Sequence, residues 1–168
     1  MIMRHTYFAA ALLSVAIALA GATALHATER RPLPAFMLTS LGGQPVASTE
    51  LPQDGHWLLI YVEPSCRSCL AVLNALRRDE HPGLSSRVVV VVAGSSTEQA
   101  LALVAAAVDL SEAAWLIDRD RSAGQALGLK HSPVVIGIRG SMIEWGLTGV
   151  LNNSVDVQSV LVSWLQRQ

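Results

Sequence analysis

Cys66 and Cys69 are the only thiols in this 168-residue sequence, and two residues separate them. Thiols this close support reversible disulfide exchange, metal binding or an inert crosslink. A zinc site would need two further cysteine or histidine ligands at matching spacing. The five histidines (His5, His26, His56, His81 and His131) are scattered, and no H-x-x-x-H pair occurs. A crosslink across two residues closes too small a loop to stabilise a domain much. Redox exchange is the chemistry the pair favours, with metal binding behind it.

The flanking sequence says how such a pair would be held. The apolar run Trp57 to Val62 has the length and composition of a buried strand. Beyond the pair, Cys69, Val72, Leu73 and Leu76 recur at the three- and four-residue steps of a helix with one buried face. Cys66 is then expected where the strand hands over to the helix. Unpaired N–H groups and the helix dipole favour a thiolate at that position, and the thiolate is the nucleophile of disulfide exchange. Glu63, three residues ahead of Cys66, is a candidate proton shuttle whose charge would raise the thiol pKa. Arg67 would lower it, and His131 is a candidate to stabilise the thiolate.

The remaining chain supplies the scaffold. Hydrophobic residues make up 51% and charged residues 15% of the sequence, with a formal net charge of −1. This describes a globular domain with an ample core, and without a basic stripe nucleic acid is not an expected partner. Residues 1–27 read as a signal peptide or signal anchor: Arg4 precedes the uncharged run Tyr7 to Leu25, and small residues end Ala22-Thr23-Ala24 and Leu25-His26-Ala27. Cleavage is favoured because alanines dominate, although residues 7–25 are long enough to serve as a membrane anchor. The domain is therefore expected outside the cytoplasm, in a periplasmic or similar space where disulfides persist.

Residues 28–34 read as a linker and 35–168 as one domain. Phe36 to Thr39 and a strand from Val46 form an expected hairpin around the Leu41–Pro45 turn. Five consecutive valines from Val88 to Val92 indicate a strand buried on both faces, as in a parallel sheet. A helix from Glu98 to Val108, a strand at Ala114 to Ile117 and a short helix ending at Gly128 follow. Val134 to Ile138 turns at Arg139-Gly140 into a hairpin with Ser141 to Trp145. A final amphipathic helix carries Val157, Val160, Leu161, Trp164 and Leu165 on its apolar face. Strands alternating with helices imply an α/β fold.

With Cys66-Arg67-Ser68-Cys69 after a strand, Gly128-Leu129-Lys130-His131-Ser132-Pro133 before another, and a leading hairpin, residues 33–166 resemble exported redoxin-type thiol-disulfide oxidoreductases. The resemblance implies a thioredoxin-like three-layer fold: a central mixed sheet with helices on both faces and an N-terminal β-hairpin extension. The segments Glu63 to Cys69 and Trp145 to Asn152 are similar to methylamine-utilisation accessory proteins, and cytochrome c maturation reductases are the broader match. The implied roles are Cys66 as nucleophile, Cys69 as buried resolving thiol, and Pro133 as a cis-proline presenting the Ser132 backbone to substrate. No cofactor is implied. The partners would be a protein carrying a disulfide or dithiol and, for a reductase, a membrane electron donor. Departures are Ser65 in place of tryptophan, Ser68 in place of proline, and Ile60 where thioredoxins keep a buried carboxylate. The alternatives are a Cu(I) metallochaperone using Cys66, Cys69 and His131, and an assembly factor that works through its surface.

Overall fold

The computed structural model describes residues 30–75, 83, 85–107, 110, 112–149 and 154–167. The expected signal segment, Leu76 and the His81-Pro82 pair lie outside these residues. Twelve elements follow along the described chain: β1 (Arg31–Pro32), β2 (Met37–Ser40), β3 (Pro45–Ala47), β4 (His56–Val62), α1 (Arg67–Asn74), β5 (Val88–Ala93), α2 (Thr97–Ala106), β6 (Ala114–Asp118), α3 (Ser122–Leu127), β7 (Val134–Arg139), β8 (Met142–Thr148) and α4 (Ser154–Leu165).

The strands form one mixed sheet in the order β1-β8-β7-β4-β5-β6-β2-β3. β4, β5 and β6 run parallel, and the remaining pairs are antiparallel. Every residue of β4 and β5 is buried, which explains why these strands are apolar without alternation. Their side chains still divide by the two-residue period of a strand. Leu58, Ile60 and Val62 face a core with Cys69 of α1, Leu103 of α2 and Leu161 of α4. Trp57, Leu59 and Tyr61 face Phe36, Leu38 of β2, and Ala123 and Leu127 of α3. Helices thus cover both faces, and the hairpin β2–β3 extends the sheet from β6 through the pairs Thr39–Ile117 and Ser40–Leu116.

Several expected boundaries shift. Arg31–Pro32, within the segment read as linker, pairs with Ile143 and Met142 of β8; an edge strand tolerates Pro32 because its missing N–H need not enter the ladder. α2 spans Thr97–Ala106 rather than starting at Glu98, because Ser96 caps it. Arg139 belongs to β7, so the turn falls at Gly140-Ser141. Val160, placed on the apolar face of the last helix, is 49% exposed, whereas Val162 is buried.

One irregularity fixes the far end of the sheet. Gly137 pairs with Trp145 but Ile138 with Ile143, so β8 bulges at Glu144. The bulged residue's carboxylate meets both Arg30 (2.6 Å) and Arg139 (3.3 Å). The Leu33 N–H donates to the Ser141 carbonyl at 2.8 Å, so the first described residues are held against the β7–β8 turn.

Candidate active site

β4 ends at Val62, and Glu63 to Cys66 form a turn closed by the Cys66 N–H donating to the Glu63 carbonyl at 3.1 Å. Cys66 has extended backbone and occupies the N-cap of α1. Its own carbonyl accepts from the Cys69 N–H at 3.1 Å. The two sulfurs are joined as a disulfide with Cα atoms 5.3 Å apart. Cys69 is fully buried in the core under α1 and α4, whereas Cys66 is half-buried. The Ser68 hydroxyl lies 3.4 Å from the Cys66 sulfur, and Arg67 points to solvent.

The Ser132–Pro133 peptide is cis. Val134 pairs with Tyr61, the penultimate residue of β4, so Ser132 and Pro133 stand at the same end of the sheet as the cysteine turn. The Pro133 carbonyl accepts from the Gly149 N–H at 3.2 Å. No turn or loop hydrogen bond of the described residues engages the Ser132 N–H or C=O. His131 is exposed and makes no hydrogen bond or ion pair among the described residues. Cys66, Cys69 and His131 do not form a three-ligand metal group; among the described residues no such group of His, Cys, Asp or Glu occurs.

Glu63 is not a free loop carboxylate. Its Oε1 accepts from Nη1 of Arg121 at 2.7 Å, and this contact raises the guanidinium pKa further above its already high ordinary value. Together with Ser65, Gly94 and Gln99, the pair lines an open pocket of about 300 Å³ beside the cysteine turn.

Behind the pair lies Asp118, the last residue of β6, which is buried. Its carboxylate accepts from the Tyr61 hydroxyl (2.8 Å) and from the N–H groups of Ala123 (3.2 Å) and Gly124 (2.9 Å) at the start of α3. Burial first, and then the bond to Asp118, push the Tyr61 pKa far above the ordinary tyrosine range. Ile60 faces the Cys69 side of the sheet, while the Asp118–Tyr61 pair belongs to the opposite side. The buried carboxylate is therefore not moved next to the resolving thiol.

Sequence reasoning missed Arg121 and Asp118. The available signal was the charged run Asp118-Arg119-Asp120-Arg121 directly after a parallel strand. The carboxyl ends of parallel strands share one edge of the sheet, and here that edge holds Cys66.

No family model matches the chain, and no curated protein matches it. Solved structures do. A secreted Mycobacterium tuberculosis disulfide oxidoreductase, homologous to E. coli DsbE, is 16% identical with a TM-score of 0.60, covering 76% of this chain and 95% of its own. The thioredoxin domain of a Bacteroides vulgatus thiol-disulfide oxidoreductase is 14% identical with a TM-score of 0.62, covering 81% and 96%. The peroxidoxin BcpB of M. tuberculosis is 12% identical with a TM-score of 0.63, covering 81% and 94%. The chain has the thioredoxin-like fold. Among the described residues, no helix is long and apolar enough to cross a membrane.

Proposed function

We propose that the protein is an exported thiol-disulfide oxidoreductase that exchanges disulfides with a partner protein through Cys66 and Cys69. The observation that carries this reading is the asymmetry of the pair: a half-buried sulfur at a helix N-cap bonded to a fully buried one. In the reducing direction the Cys66 thiolate attacks one sulfur of the partner's disulfide, and the other partner sulfur leaves as a thiolate. The Cys69 thiolate then attacks the Cys66 sulfur. That step breaks the mixed disulfide, forms Cys66–Cys69 and releases the partner with both thiols reduced, two electrons having been transferred. Run in reverse, the same steps oxidise a partner dithiol. Ser132, with its backbone groups free of loop hydrogen bonds, would pair with an extended partner segment beside Cys66.

Residues 1–27 would direct export, with residues 7–25 as anchor if uncleaved, and residues 35–168 would act outside the cytoplasm. The role is that of a reductase or assembly factor for an extracytoplasmic redox protein, recharged by a membrane electron donor.

Equilibrating the protein in glutathione or dithiothreitol buffers tests this. A reversible two-electron transition, lost in Cys66→Ser together with exchange activity, is expected. A potential near that of thioredoxin, about −270 mV, marks a reductase, and one near −120 mV marks an oxidant. Absence of any transition would overturn the reading, with a copper titration next.

A further inference from the structure

Arg121 is the one non-glycine at positive φ (61°) among the described residues. Left-handed backbone is costly for an L side chain, and glycine, asparagine or aspartate would occupy it more readily. Arg121 also stands at the N-cap of α3 without making a side-chain capping bond. Local structure therefore gives no reason for arginine, and the outlier invites a functional explanation.

The surroundings are shaped for its side chain. The Arg121 N–H donates to the Asp118 carbonyl (3.4 Å), which also accepts from Gly94 N–H (2.8 Å) at the end of β5. A Cβ on Gly94 would lie 3.0 Å from Nε and 3.1 Å from Nη2 of Arg121. The guanidinium therefore rests against bare backbone and reaches across the end of β5 to Glu63. Its side chain is 54% exposed and that of Glu63 26%, and ion pairs so open to water stabilise a fold little. Its effect is instead local to the turn that Glu63 shares with Cys66.

We propose that Arg121 is a positioning residue for the exchange reaction: it holds the Glu63 carboxylate in the pocket beside the cysteine turn and cancels its charge there. Without that pairing, Glu63 would present an uncompensated negative charge three residues from Cys66 and oppose formation of the thiolate. The other charged or titratable groups at this end of the sheet are Arg67 on α1, Glu98 at the start of α2, Arg119 and Asp120 before α3, and Lys130 and His131 before Pro133. Tyr61 and Asp118 lie buried behind it. The ion pair that the structure shows for Glu63 is the one with Arg121.

The proposal rests on Cys66 being the nucleophile, and its test separates the two ideas. The pH dependence of Cys66 alkylation by iodoacetamide would be measured on the reduced full chain in a Cys69→Ser background. Arg121→Gln should move the inflection up by roughly half a pH unit or more, about a threefold slower reaction below it. Glu63→Gln should move it down, and the double variant should return close to the parent. A circular-dichroism spectrum and melting curve matching the parent would show that each variant folds. Folded Arg121→Gln titrating like the parent, or the double variant shifting as far as Arg121→Gln alone, would overturn the role of Arg121. Either result is independent of exchange activity. Loss of exchange in the unsubstituted chain would instead overturn the proposed function.

Discussion

Tyr61 and Asp118 show how a few buried polar atoms organise the edge of the sheet near the cysteines. One carboxylate satisfies a phenol and two helix N–H groups, so each of these groups is buried with a partner. A Cβ on Gly124 would collide with the Tyr61 ring, at 2.9 Å from Cζ, so the start of α3 can approach the phenol only as glycine. Tyr61→Phe should cost about 1 kcal/mol in denaturant unfolding, since it removes the phenol but leaves Asp118 its two N–H donors. It should also change the alkaline limb. The Tyr61 pKa is raised in the folded protein, so its stabilising contribution is complete below the ordinary value of 10.0 and is lost as pH rises above it. Stability of the oxidised protein should therefore fall as pH rises above about 10, and Tyr61→Phe should flatten that fall. The Cys66–Cys69 pair between β4 and α1 was legible in the sequence because these parts are contiguous. The Glu63–Arg121 pair spans 58 positions and is brought together only by the shared edge of parallel strands.

At the scale of elements, Ser96 sets the start of α2. Its hydroxyl accepts from the Gln99 N–H at 3.2 Å, and the Gln99 side chain accepts from the Ser96 N–H at 3.0 Å, forming a reciprocal capping box. Ser96→Ala should lower stability by about 1 kcal/mol in chemical denaturation. It should also loosen Gln99, which lines the pocket beside Glu63. The central strands β4, β5 and β7 were legible from their apolar runs. The helix start was displaced because Ser96, Thr97 and Glu98 all resemble helix-opening residues, and only the hydrogen bonds distinguish them. The misplacement of Val160 has a related cause. Val157, Leu161, Trp164 and Leu165 define the buried stripe of α4, with Val160 and Val162 on opposite flanks. Helical period gives the stripe; the tilt of the helix on the sheet decides which flank is covered.

At the scale of the whole molecule, α4 is locked to the central strand at the end remote from Cys66. The Trp164 indole N–H donates to the Trp57 carbonyl at 3.1 Å. Its ring meets His56 edge-on at 4.5 Å and Trp145 at 5.4 Å. Trp164→Ala should cost about 3–5 kcal/mol in denaturant unfolding, combining lost burial with a cavity between helix and sheet. The alternation of strands and helices made the α/β class readable, whereas β1 was hidden because two residues carry no periodicity. That small strand marks one end of the sheet. Arg31–Pro32 and the Glu144 clamp lie by the β7–β8 turn, where Arg139 faces His56 at the start of β4. Cys66 follows the other end of this seven-residue strand, roughly 20 Å away. The domain thus has two opposite poles, one at the β7–β8 turn and one at the cysteine turn. The first described residues lie at the first of these poles, and Cys66 stands half-buried at the second.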